Sequence, residues 1–323
     1  MAMRIAPGEK FACFAFTFYS VDEQVPDEVQ LGPRLWAVRG LDLAVAEHWD
    51  TWMGSIKMDA LRDANSAIYT TSSQPEILDP ENAELVETLG YLLYGILLQG
   101  VPGYDQGFSL HGANVGGKIN VRQFSDLKGY QPSFDTEPAF RLGVPELQRA
   151  AGLVERLRAV NTGGPANWAR LRRGLKVLFD GTLLPNKDGD RLHQLVRAVE
   201  ALVKPEIAKT KSQFAHRISQ TFTLANDETR ETLLQLFDLR SCVEHMHAVL
   251  DALPGDEAER IATVNRRTRQ IDVLARAALL RVMMSDVLME AFRSDATIDA
   301  FWQMSDAARV AMWGQPIDLT KTA

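Results

Sequence analysis

Residues 227–253, DETRETLLQLFDLRSCVEHMHAVLDAL, carry the pattern that decides the fold of the C-terminal half. Leu236, Leu239, Val243, Met246, Leu250 and Leu253 recur at the spacing of one face of an α-helix. Asp227, Glu228 and Glu231 fall in its first turn, where negative charge suits the exposed amide dipoles. The spacing predicts one helix over 227–253. Directly after Pro254 and Gly255, the pair Asp256 and Glu259 has capping-box spacing and predicts a further helix running in two pieces to Phe292. A shorter helix is predicted over 298–313. Upstream, Leu192, Leu195, Val196, Val199 and Leu202 form one apolar stripe. From about Leu147 the pattern is nearly all helical, broken at 161–165, 181–189, 221–226 and 254–255.

The first half mixes periods. Phe14, Phe16 and Phe18 alternate and predict a strand over 11–20, with a second strand over 35–45. A helix is predicted over 52–68 and a stronger one over 82–99, where Leu85, Leu89, Leu92, Leu93 and Ile96 share a face. A glycine-rich region over 100–129 holds short strand-like pieces such as 118–124, and 129–138 is polar with two prolines. The fold class expected is α+β: an N-terminal α+β domain over 1–145 followed by an all-α helical bundle over 146–323.

Composition limits the function classes. The chain has 323 residues, 46% hydrophobic and 24% charged, ordinary values for a globular protein. A net charge of −7 excludes a general basic coat but not a local basic groove. Cys13 and Cys242 are too few for a disulfide framework and lack metal-ligand spacing, which suits a reducing cytoplasmic setting. The apolar runs 89–101 and 271–292 are too short or too interrupted by charge to cross a bilayer, so no membrane partner is expected. The start of the chain lacks a small-residue cleavage site and is read as the first strand, not a signal peptide.

The most informative chemistry lies in the quoted stretch: Phe237-Asp238-Leu239-Arg240-Ser241, then His245 and His247. An arginine offers phosphate a planar fork of donors, and a histidine moves protons near neutral pH. Together they suffice for metal-independent RNA cleavage, because the ribose 2′-hydroxyl supplies the nucleophile.

Residues of about 165–295 resemble the HEPN superfamily of helical ribonucleases and nucleotide-binding domains, most closely its Apea-like branch. Three features carry the resemblance. The first is an early helix closing on an acidic residue among apolar ones, Leu195 to Leu202 with Glu200. The second is Phe214-Ala215-His216-Arg217-Ile218, an aromatic followed by Arg-Ile. The third is Phe237-Asp238-Leu239-Arg240-Ser241 with His245, matching the family's Tyr-Asp-Leu-Arg-Ser and the superfamily's Arg-x4–6-His. The family pattern often ends in an apolar residue and then His-Gly; here Glu244 precedes His245 and Met246 follows it. An i,i+4 pair of Arg240 with Glu244 would occupy the guanidinium.

On one straight helix Arg240 and His245 would stand about 140° apart, with His247 almost on the azimuth of Arg240. The resemblance implies a homodimer in which motifs from two subunits face one cleft. It also implies a cytoplasmic RNA endonuclease of phage defence or stress response. Arg240 would stabilise the phosphorane-like charge, His245 would act as general base or acid, and Ser241 would orient the phosphate. No metal or other cofactor is expected. Candidate RNA-binding residues are Arg170, Arg172, Arg173, Arg266, Arg267 and His247, with Trp168 placed to stack on a base. Charge runs of this kind also occur as plain solvated helix faces. The N-terminal domain would sense a ligand or protein trigger, or restrain the nuclease.

Other chemistries fit the residues less well. His216, Glu244, His245 and His247 lack structural-zinc spacing. Gly116-Gly117-Lys118 lacks the frame of a phosphate loop. The alternative to a nuclease is a non-catalytic dimerisation and nucleotide- or ligand-binding module, in which the Arg240–Glu244 pair is structural.

Overall fold

The computed structural model describes residues 3–18, 26–41, 48–72, 79–127, 140–182 and 189–320. The chain divides into two compact units, Met1–Glu155 and Arg156–Ala323. The architecture is α+β, an antiparallel sheet followed by a helical region.

The first unit is built on six strands: β1 (Lys10–Phe18), β2 (Glu28–Gly32), β3 (Leu35–Arg39), β4 (Ser66–Ser72), β5 (Tyr104–Val115) and β6 (Lys118–Leu127). Their order is β2-β3-β4-β1-β5-β6. β1 pairs antiparallel with β4 and β5, so it has no free edge. Phe14, Phe16 and Phe18 are buried, as the alternation predicts, and so are Phe11, Cys13 and Ala15 on the opposite face. The strand is covered on both sides. Phe11, Cys13 and Ala15 pack with Trp49, Met58 and Leu61 of α1 (His48–Met53) and α2 (Ser55–Arg62). α3 (Asp79–Leu97) packs against β1, β4 and β5.

Three predictions for this unit need correction. The helix expected over 52–68 is interrupted at Gly54, whose φ of +80° ends one helical segment before the next begins. Residues 66–72 are strand β4, where Ile68 and Tyr69 fill the sheet. The glycine-rich region is one long hairpin, not scattered strand pieces. Val115 pairs with Lys118 across Gly116 and Gly117, whose φ values of +60° and +85° suit a two-residue turn matched to strand twist. That is the structural role of the Gly-Gly-Lys sequence. The strand expected over 35–45 ends at Arg39. Residues 42–45, 129–138 and most of the 181–189 break lie outside the described residues.

The helical region opens with α4 (Val144–Thr162) and continues through α5 (Ala169–Thr182), α6 (Asp190–Val203), α7 (Thr210–Thr221) and α8 (Asp227–Glu244). A short 3₁₀ turn, Val249–Ala252, leads to α9 (Glu257–Met284), α10 (Asp286–Ala291), α11 (Asp295–Gln303) and α12 (Asp306–Trp313). α6 packs against α5, α7, α8 and α9, and its stripe residues Leu192, Leu195, Val196, Val199 and Leu202 are fully buried. The capping box forms as its spacing predicts: the Glu259 amide donates to Asp256 Oδ1 at 3.0 Å and the Asp256 amide to Glu259 Oε2 at 3.1 Å. Ser285 divides the following helix into the two pieces expected. Residues 298–313 form two helices instead of one, because Ser305 caps a new start. A further break at Lys204–Lys209 was not visible as a gap in the apolar stripe; Lys204 turns left-handed at φ +46° and Pro205 follows it.

Candidate functional site

The quoted stretch is not one helix to Leu253. α8 begins where Asn226 Oδ1 accepts the Thr229 amide at 2.7 Å, and it stops at Glu244. The stop is a Schellman turn. The His247 amide donates to the Cys242 carbonyl at 2.8 Å and the Met246 amide to the Val243 carbonyl at 3.1 Å. The geometry places Met246 in the left-handed position with φ +59°. Met246 is therefore 93% exposed and contributes nothing to the stripe assigned to it. Ending the helix here also removes the straight-helix geometry: His245 is the C-cap and His247 lies beyond it.

Arg240 points from the last turns of α8 toward α6. Its Nη2 donates to Glu200 Oε2 at 3.2 Å, and its Nη1 pairs with Glu244, as the i,i+4 spacing predicts. The guanidinium stands 5.5 Å from the Phe237 ring centroid. Phe237 lies 5.6 Å from the ring of Phe214 on α7. Glu200 thus meets Arg240 directly, while Phe214 reaches the same cluster only through Phe237. Burial pushes the Glu200 carboxyl upward despite the opposing pull of Arg240.

The two carboxylates are not equivalent. The Glu200 side chain is 15% exposed and that of Glu244 47%. An exposed i,i+4 pair is worth roughly 0.3–0.5 kcal/mol. Glu244 is therefore the more weakly held partner of Arg240, and Glu200 the more buried one.

His193 escaped the sequence reading. It stands two turns before Glu200 on α6, a seven-residue spacing that puts both on one face. Burial, then the charges of Arg240 and Arg197, lower its pKa, so the neutral ring is favoured. Its Nε2 is buried and has no hydrogen-bond partner. The seven-residue spacing was the available signal; without the Arg240–Glu200 contact it singled out nothing.

The remaining candidates are dispersed. Ser241 is half-buried, and its carbonyl accepts the His245 amide at 3.1 Å. His245 and His247 are exposed, with ring centroids 6.4 Å apart. Arg170 pairs with Asp295 at 2.8 Å. Arg172 donates to the carbonyls of Val160 (2.8 Å), Gly163 (2.7 Å) and Asn167 (3.0 Å), clamping the α4–α5 connection. Arg173 is exposed on α5. Arg267 donates to Gln235 and Gln270, both at 2.6 Å, and with Arg266 it lines a small cavity that also holds Glu228 and Glu231. Gln235 and Arg240 are five residues apart on α8, about 140° around the helix, so Arg267 meets a different side from Arg240. The Trp168 indole N–H donates to the Met289 carbonyl at 3.0 Å, and Arg293 lies over its ring.

Beside the helix end is a cavity of about 720 Å³, bounded by the start of α6, the Schellman turn, the 3₁₀ turn and the first turns of α9. Among the described residues no three His, Cys, Asp or Glu side chains gather as a metal site requires. Nor is any described helix long and apolar enough to cross a membrane. Comparison with protein-family models, curated proteins and solved structures finds no match to this chain.

Proposed function

We propose that this chain is a metal-independent RNA endonuclease of HEPN type, acting as a homodimer in the cytoplasm, in phage defence or stress response. The observation that carries the reading is the contact of Glu200 with Arg240 beside Phe237, which joins the first and third features of the resemblance at a half-buried guanidinium. RNA phosphate would displace the exposed Glu244 arm and take the Nη1 side of the fork, with Glu200 still holding Nη2. The 2′-oxygen would then attack phosphorus as a histidine, His245, accepts the hydroxyl proton. The 5′-oxygen would leave taking a proton from water, giving a 2′,3′-cyclic phosphate and a 5′-hydroxyl. Arg240 would stabilise the charge that builds on the phosphoryl oxygens. As the resemblance implies for a paired domain, the imidazole serving a given Arg240 would come from the other subunit.

A second reading has its own support. Both terminal nitrogens of Arg240 are held by carboxylates, as a structural ion pair in a non-catalytic dimerisation or ligand-binding module would be. Incubation of the purified chain with mixed single-stranded RNA and a chelator separates the two. The nuclease reading expects cleavage that Arg240→Ala and His245→Ala each abolish. Equal cleavage by all three proteins, or none by the wild type, favours the module.

A further inference from the structure

The 720 Å³ cavity at the end of α8 has no part in the proton transfers above, yet its lining is specific. Val249 and Val264 are buried and Val243 and Leu250 half-buried, so the floor is apolar. That floor closes only because Gly189 has no side chain; a Cβ there would lie 2.6 Å from Val249 Cγ2 and 2.9 Å from Val243 Cγ2. At the lip stand Met246, 93% exposed on a left-handed backbone, and Ile261, 44% exposed. Exposed apolar side chains beside an apolar hollow provide a face for a flat ring.

The charged side chains of the lining decide which ring. They are the carboxylates of Asp190 and Asp251, both exposed; the His247 ring and the Asn265 amide complete the polar lining, and no lysine or arginine lines the cavity. Phosphate is disfavoured inside it. A carboxylate accepts hydrogen bonds and, when ionised, donates none. Guanine alone among the four RNA bases presents two adjacent donors, N1–H and the 2-amino group, on its Watson–Crick edge. Adenine and cytosine set an acceptor beside their donor, and uracil flanks its donor with two acceptors. The volume lies within the range of small-molecule sites, roughly 300–1,000 Å³. Unpaired RNA bases are commonly bound this way, with one face stacked and the edge hydrogen-bonded. Arg240 stands one turn before Val243 on α8, so a strand whose phosphate reaches the fork has its base near the cavity mouth.

We infer that this cavity is a subsite for an unpaired guanine of the RNA strand, its donor edge held by Asp190 and Asp251. The inference rests on the RNA reading above, and its test uses binding instead of cleavage. Equilibrium binding of the four ribonucleoside 5′-monophosphates to the full chain is expected to favour GMP on the order of tenfold, the discrimination of one bidentate contact. Asp251→Asn and Asp190→Asn, each checked for native helix content by circular dichroism, should reduce the preference, and the double variant should erase it. Arg240→Ala should retain it. A single-stranded oligoribonucleotide containing one guanine should bind more tightly than GMP. Equal binding of the four nucleotides, no binding, a preference surviving the double variant, or an oligonucleotide no tighter than GMP overturns the subsite. RNA cleavage without guanine preference would remove only the subsite; guanine binding without cleavage would remove only the nuclease.

Discussion

Replacing Met246 by glycine should make the protein more stable, against the usual direction of a Met→Gly change. The position has φ +59°, and a side chain with a Cβ pays roughly 1–2 kcal/mol for left-handed backbone. Glycine removes that strain but carries about 0.5–1 kcal/mol of extra unfolded-chain entropy. Burial usually decides against losing a methionine, but it contributes almost nothing here because the side chain is 93% exposed. The net gain is about 0–1.5 kcal/mol, or up to roughly 6 °C in Tm at 2–4 °C per kcal/mol for a domain of this size. Thermal and urea unfolding followed by far-ultraviolet circular dichroism measures it, with Met246→Val as the opposing control. A β-branched residue at this φ should destabilise. If Met246→Gly lowers stability, or both variants move together, the Schellman turn does not hold this residue left-handed.

The two carboxylates on Arg240 should separate by substitution. Glu244→Gln should leave stability within about 0.5 kcal/mol, since the lost exposed pair is offset by removing a negative charge from the helix C-terminus. The same variant should strengthen RNA binding; weaker binding would mean that Glu244 does not compete with phosphate. Glu200 has a carboxyl raised above its ordinary 4.5 by burial, so its neutral form is favoured by folding. Its stability contribution is present below pH 4.5 and lost as pH rises through the folded value. Glu200→Gln should therefore gain on the wild type between pH 4 and pH 7, and a constant or shrinking gap in urea midpoints would contradict the sign. Arg172→Ala should cost about 2–4 kcal/mol by freeing three carbonyls, with RNA affinity unchanged. The exposed Arg173→Ala should leave stability within about 0.5 kcal/mol and reduce the salt dependence of RNA binding; the reverse pattern would exchange their roles.

Periodicity revealed what burial writes into the chain. The stripe of α6 and the alternation of β1 appear as read because core faces demand apolar side chains at fixed intervals. The capping box of α9 was equally legible, since its two side chains lie within four residues of each other. The helix end at Glu244 was not: a Schellman stop usually shows as glycine, and Met246 disguised it while its apolar neighbours continued the stripe. The strand over 66–72 was not legible, and its start falls within the helix predicted over 52–68, because strand identity here depends on the neighbours β1 and β3, which are remote in sequence.

The site was legible to the same extent. The Arg240–Glu244 pair follows from i,i+4 spacing, whereas Glu200 and His193 reach Arg240 only through the packing of α6 on α8. Basic residues looked alike in sequence, but folding assigns them different work: Arg172 grips backbone carbonyls, while Arg173 faces solvent.

The most direct measurement is complementation between inactive subunits. Arg240→Ala and His245→Ala proteins, each without cleavage activity alone, are mixed, unfolded and refolded together. If Arg240 of one subunit meets His245 of the other, a mixed dimer contains one intact site, and a random mixture regains about a quarter of wild-type RNA cleavage. A mixture that remains inactive, although dimers form and exchange, contradicts a phosphate-cleaving centre shared across a twofold axis.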